Sequence, residues 1–243
     1  GLKAYEVPMA SRGAKGRPLV NLLPLEDGES ITAILPIKER PEGHYVFMAT
    51  ASGTVKRVAI EAFTHLRKNG LIAIDLKGDD TLVGAAITDG SQQIMLFSNE
   101  GKAIRFPEDK VRAMGRVAKG VRGMRVTLAN QWDTDLDEDA EDVAIEEDGD
   151  DSSSDIISRV VSLVVVPESG QVLTACANGY GKRTPVTDFP TKGRGGKGII
   201  AVKTSARNGE LVKAVVGVDD KELLLISDGG TLIRTAAAGV SVT

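Results

Sequence analysis

"VFMATASGTVKR", Val46 to Arg57, decides the fold. An apolar run ends in a Ser-Gly pair, and a shorter run follows at once and closes on two cations. Glycine tolerates the positive φ that a tight hairpin turn demands, so the stretch reads as two short antiparallel strands. The pattern returns as "IMLFSNEGKAIR" (94–105), "VLTACANGYGKR" (172–183) and "LLLISDGGTLIR" (223–234), and the chain opens on a weaker copy, "GLKAY". The glycines at 1, 53, 101, 179 and 230 are spaced by 52, 48, 78 and 51 residues. The interval of 78 holds an acidic run, 132–155, and without those 24 residues it is 54. The chain is a repeat of about fifty residues.

Between the hairpins lie further apolar, β-branched runs, "SITAILPI", "TLVGAAIT", "VVSLVVV" and "LVKAVVGV", bounded by Gly, Asp, Asn or Pro. No segment sustains a 3.6-residue apolar period over three turns, so long helices are not expected. Four strands with their turns fill one repeat, the size of a propeller blade. The expected fold is all-β, a propeller-like disc of about four to five four-stranded blades, in one domain spanning 1–243. A WD40 propeller fits poorly, because the single Trp-Asp pair, Trp132–Asp133, lies in the acidic run and does not recur.

Composition narrows the partners. The net charge is −4, but residues 132–155 hold thirteen Asp and Glu and no Lys or Arg. The remainder carries 30 cations against 21 carboxylates, a charge of +9 on a basic body bearing one acidic strip. One cysteine, Cys176, sits in the apolar run "QVLTACA"; it reads as a small buried residue, rules out a disulfide framework and favours a reducing cytoplasm. No stretch reaches the ~20 apolar residues of a membrane-spanning helix. Gly1 in place of a start methionine, and the ending "AAGVSVT", read as a fragment of a longer protein.

Glycine-and-cation loops recur once per repeat: "SRGAKGR" (11–17), "HLRKNG" (65–70), "RAMGRVAKGVRGMR" (112–125) and "TKGRGGKG" (191–198). Gly193 to Gly198 satisfies G-x-G-x-x-G, but prolines precede it and a strand-like "IIAV" follows, where a dinucleotide site needs a strand and then a helix. Gly198 also occupies the place of the Walker Ser or Thr. Nucleotide binding is not expected. Glycine clears bulk so that backbone N–H groups approach a phosphate, and the flanking cations add charge. Four such loops at one level of a disc would make a basic rim for a polyanion. Duplex DNA, with about one charge per 1.7 Å, suits such a rim. Aromatics make up 4% of the chain, too few for stacking single-stranded bases, and no helix is available for the major groove. Recognition should therefore rest on backbone and bendability.

The expected DNA contacts are Arg12, Lys15 and Arg17 in the first loop, and Arg67 and Lys68 in the second. The third loop supplies Arg116, Lys119, Arg122 and Arg125, and the fourth Lys192, Arg194 and Lys197. A second set follows the repeat glycines: Lys56, Arg57, Arg105, Lys182, Arg183 and Arg234. The alternative role for that second set is solvated charge that discourages aggregation at strand edges.

The segments "ASRGAKGRPLVNLLPLEDGESITAILPI", "VFMATASGTVKR", "VRAMGRVAKGVRGMR" and "ANGYGKRTPVTDFPTKGRGGKG" closely resemble the C-terminal DNA-wrapping domain family of bacterial DNA gyrase A subunits. The resemblance covers nearly the whole chain outside the acidic run. It implies a β-pinwheel, in which each blade lends a strand to its neighbour, that wraps duplex DNA with a fixed hand so that the holoenzyme introduces negative supercoils. It also implies that ATP and Mg serve the parent complex elsewhere and that this fragment has no cofactor. The implied partners are double-stranded DNA and, through the rest of the parent chain, the gyrase B subunit together with a second gyrase A. The isolated fragment is expected to be monomeric, non-catalytic and cytoplasmic, at the nucleoid. None of Tyr5, Tyr45 and Tyr180 inherits the cleaving tyrosine of the family's N-terminal region.

Two departures stand out. The family's box, Gln-Arg-Arg-Gly-Gly-Lys-Gly, belongs to the first blade, whereas here Arg194 to Gly198 match five of its seven positions in a later blade. The acidic insertion is the other. It reads either as a solvated surface loop or as a competitor of DNA for the basic rim. A calcium loop is not expected: Asp133, Asp135 and Asp137 have the spacing, but Glu138 stands where glycine is required and Ala144 where Glu is required. His44 and His65 lack metal-ligand spacing. Two rivals remain, the C-terminal domain of the topoisomerase IV counterpart of gyrase A and a basic protein-interaction propeller.

Overall fold

The computed structural model describes residues 3–11, 13–15, 22–23, 25, 28–37, 42–64, 70–126, 158–217 and 220–242. Each quoted hairpin forms. β1 (Tyr45–Thr50) pairs with β2 (Thr54–Ala59), and β4 (Gln93–Ser98) with β5 (Lys102–Pro107). Likewise β8 (Gln171–Cys176) pairs with β9 (Gly181–Pro185), and β12 (Glu222–Ile226) with β13 (Leu232–Ala236). Gly53, Gly101, Gly179 and Gly230 hold φ of 85°, 81°, 81° and 80° in the four turns. Among the described residues the helical pieces are 3-10 turns of three or four residues, including Ile60–Phe63, Glu108–Lys110, Val186–Asp188 and Ala237–Gly239.

Three intervening runs become third strands. β3 (Leu82–Thr88), β7 (Val160–Val166) and β11 (Leu211–Gly217) pair antiparallel with β1, β4 and β8. Strand exchange supplies the fourth: β6 (Val121–Arg122) returns from beyond the second hairpin to pair with β2, and β10 (Ile199–Ile200) returns from beyond the third to pair with β5. The sheets therefore run β3-β1-β2-β6, β7-β4-β5-β10, β11-β8-β9 and β12-β13. Two of these four sheets reach four strands among the described residues, against an expectation of about four to five four-stranded blades. Among the described residues no strand forms at the opening copy, where Ala4–Glu6 is a 3-10 turn, nor at 30–37, although Leu35 packs against the first sheet.

Stacking explains why β4 is apolar almost throughout. Successive side chains of β4 point to opposite faces. Ile94 and Leu96 join Phe47, Ala49 and Val55 of the first sheet, whereas Met95 and Phe97 join Val172, Cys176 and Leu211 of the third. Phe97 meets Phe189 edge-on, with ring centroids 6.3 Å apart and an interplanar angle of 76°. A sheet buried on both faces has no polar side to alternate with. Full burial of each Phe or Leu contributes about 1.5–3 kcal/mol. Cys176 is buried, and desolvation pushes its thiol pKa up, as suits a packing residue.

Candidate nucleic-acid interface

The third and fourth glycine-cation loops are each clipped at both ends to four consecutive residues of the preceding sheet. The third leaves the 3-10 turn Glu108–Lys110, is caught where Met114 N–H donates to Arg57 O at 2.8 Å, and turns back with Ala118 N–H on Gly115 O at 3.1 Å. It ends where Val121 and Arg122 pair with Val55 and Thr54. The fourth does the same one blade on: Lys192 N–H donates to Arg105 O at 2.9 Å, and Ile199 and Ile200 pair with Ala103 and Lys102. Two loop glycines serve these ends. Gly120 has φ 94°, and a Cβ there would lie 2.7 Å from Val55 O; Gly198, with φ 78°, presses on Ala103 O in the same way. Their lack of bulk thus admits the neighbouring strand, not a phosphate as the sequence suggested.

The third and fourth loops lie side by side. Gly195 N–H donates to Gly123 O at 2.8 Å, and Arg125 N–H to Gly196 O at 2.9 Å. Arg194 adds a fork, Nη1 to Arg122 O at 3.0 Å and Nε to Lys110 O at 3.1 Å. Across this pair Lys119, Arg125, Lys192 and Lys197 are exposed, while Arg116, Arg122 and Arg194 are half-buried. Lys15 is exposed in the first loop. Arg12, Arg17, Arg67, Lys68, His65 and the acidic run 132–155 lie outside the described residues.

The second set needs correction. Lys56 is fully buried, its Nζ donating to Ala73 O at 2.9 Å and to Arg116 O. Desolvation holds its pKa below the ordinary 10.5, nearby Arg116 adds to the effect and Asp75 opposes it. Arg57 is buried over the Tyr45 ring, with Nη1 3.7 Å from Glu108 Oε2. Arg105 Nη1 donates to Val186 O at 3.1 Å and Phe189 O at 3.3 Å. Arg183, also buried, donates from Nε to Val240 O at 2.6 Å and from Nη2 to Ala238 O at 3.3 Å. Burial takes Lys56, Arg57 and Arg183 away from phosphate and solvent alike, and half-buried Arg105 is engaged by carbonyls of the next blade. The second strand of each of these hairpins faces the next blade, whose turn carbonyls need donors. Lys182 is half-buried, and exposed Arg234 pairs with Glu222 of its own hairpin.

Among the exposed cations that composition and spacing miss is Lys203. Gly123-Met124-Arg125 and Ala201-Val202-Lys203 hold the same place, since Met124 N–H and Val202 N–H donate to Gly53 O (3.2 Å) and Gly101 O (3.0 Å). Lys203 is therefore the counterpart of Arg125, and aligning the two loops on Gly120 and Gly198 would have found it. Among the described residues no group of three His, Cys, Asp or Glu is placed to hold a metal, and no helix is long and apolar enough to cross a membrane.

A family model described as DNA gyrase C-terminal domain, beta-propeller, matches residues 2–38, 44–89, 92–144, 171–216 and 221–243. The DNA gyrase A protein of Haemophilus influenzae is 50% identical over 245 residues, covering 99% of this chain and 27% of that protein. That of Escherichia coli K12 is 46% identical over 241 residues, covering 99% and 24%. The chain spans about a quarter of the length of these curated relatives. A solved DNA gyrase A C-terminal domain superposes with TM-score 0.76 at 27% identity, covering 100% of this chain and 70% of that one. The C-terminal domain of a DNA topoisomerase IV gives 0.75 at 22%, covering 94% and 63%, a likeness of fold alone.

Proposed function

The chain belongs to the DNA gyrase C-terminal domain family, a β-propeller family, and from that premise we propose that it binds, bends and wraps duplex DNA without reading sequence. One observation carries the reading: the ladder from Gly195 to Gly123 and from Arg125 to Gly196 joins two cationic loops that lie far apart in sequence. On this reading exposed Lys119, Arg125, Lys192 and Lys197 of the two joined loops meet the duplex, with Lys203 and, in the first loop, Lys15, both also exposed. Arg116, Arg122 and Arg194 stand in the same two loops, and Arg12, Arg17, Arg67 and Lys68 belong to the same proposal by sequence. Smooth bending of 20–30 bp costs about 1–6 kcal/mol, so contacts must be shared among several loops.

On this reading the chain acts as one domain of a gyrase A protein, without chemistry of its own. Its parent complex, with gyrase B, couples ATP hydrolysis to negative supercoiling in the cytoplasm at the nucleoid. The curated relatives named as gyrase A, at 46–50% identity, favour this over topoisomerase IV. Supercoiling rather than relaxation by the parent holoenzyme separates the two.

The test is duplex binding across a salt series with ligation of a nicked circle. About eight phosphate contacts predict a log–log slope near −7, and wrapping predicts a linking-number shift of one sign. A flat salt response would instead favour a protein-interaction propeller.

A further inference from the structure

Arg57, Arg105 and Arg183 each stand four residues after a repeat glycine, and each reaches out of its own sheet toward the 3-10 turn of the next. Arg105 is the fullest case. Its guanidinium holds the carbonyls of Val186 and Phe189, which bracket the turn Val186–Asp188. Its own carbonyl takes the N–H of Lys192, the first cation of the fourth loop. Lys102 and Ala103 secure the far end of that loop through β10. The loop therefore begins and ends on one short stretch of β5. It cannot tilt against that strand without breaking the ladder or pulling the turn off the guanidinium.

We propose that Arg105, with Arg57 at the preceding interface, where the third loop is clipped to β2 in the same way, is a positioning residue for the wrap. It sets the angle at which a cationic loop leaves its sheet, and so the curvature and hand of the bound duplex, without touching DNA. Arginine suits this task because both bonds leave one nitrogen, Nη1, whose two N–H groups are fixed in direction by the guanidinium plane. A lysine Nζ is a flexible point donor that keeps the charge and loses the angle. The inference rests on the wrapping reading and adds what orients the loops.

The experiment compares Arg105→Lys and Arg57→Lys with the unaltered full chain. It measures affinity and salt slope on a linear duplex of about 20 bp, and linking-number shift per bound molecule on a ligated nicked circle. For Arg105→Lys the expected result is affinity within about twofold and an unchanged slope, with the shift reduced at least about threefold. A folded Arg105→Lys chain with a wild-type shift overturns the inference. So does a fall in affinity and slope in step with the shift, because that would put the residue on DNA. If Arg105→Lys loses its melting transition, Arg57→Lys decides by the same criteria; if both lose it, the arginines are folding residues and the proposal fails. No shift with the unaltered chain removes the wrapping reading, and the inference with it.

Discussion

Arg57 and Glu108 belong to different sheets, and Arg57 Nη1 lies 3.7 Å from Glu108 Oε2. Glu108 is fully buried and also accepts the Thr88 hydroxyl at 2.6 Å and the N–H groups of Gly90 and Gln92 at 2.8 and 2.9 Å. One carboxylate therefore joins the start of a 3-10 turn, the β3–β4 connection and the preceding blade.

Replacing it should be costly. Glu108→Ala leaves the buried Arg57 cation without its partner and three donors without an acceptor, a loss of about 3–5 kcal/mol. Chemical denaturation of both chains measures this, and coincident midpoints would show the carboxylate to be dispensable.

The buried ammonium of Lys56 gives a pH dependence of defined sign. Its pKa in the fold is lowered, so between that value and the ordinary 10.5 the unfolded chain holds more protons than the folded one. Stability from this group therefore rises with pH through that window and is lost on going down through it. Against Lys56→Met, the wild type should gain relative stability as pH climbs toward 10.5. A pH-independent difference between the two would remove this reading of Lys56.

Two glycines of one loop should behave differently. Gly120 combines φ 94° with a Cβ position 2.7 Å from Val55 O, whereas a Cβ at Gly115 would meet nothing within 4 Å. Gly120→Ala should cost about 1–3 kcal/mol from backbone strain alone, and Gly115→Ala about ±0.5. Thermal melts of the two variants check the contrast; equal melting points would contradict the clip geometry.

Lys197→Ala, Arg125→Ala and Lys203→Ala should each weaken duplex binding equally across sequences and make the salt slope shallower by about one. Arg234→Ala removes an exposed cation whose neighbour is Glu222. It should leave the slope close to wild type. The same titrations read all four.

Deleting residues 132–155 removes thirteen carboxylates and leaves a charge of +9. Duplex affinity should rise at low salt and converge with wild type as screening increases. Equal affinity at low salt would show that the acidic run does not compete for the loops.

The hairpins, their turn glycines and the fifty-residue period were legible because local chemistry sets them. Val46 to Arg57 must turn at Gly53, and the apolar runs on either side have nowhere to go but into stacked sheets. The positions of the third and fourth cationic loops were legible for the same reason, since each follows its hairpin at a similar distance. The sequence alone could not say which cations face water. Arg57, Arg105 and Arg183 resemble rim arginines in composition and spacing, yet each is drawn inward by carbonyls or a carboxylate contributed by the next blade. Strand exchange was implied by the family resemblance, but its register was not, because two-residue strands such as Val121–Arg122 carry no pattern of their own. Short-range preferences determined the repeat. Pairing between residues 50 to 100 positions apart decided which charges the repeat keeps for a partner, because a buried polar group is satisfied only by whatever the folded chain places beside it.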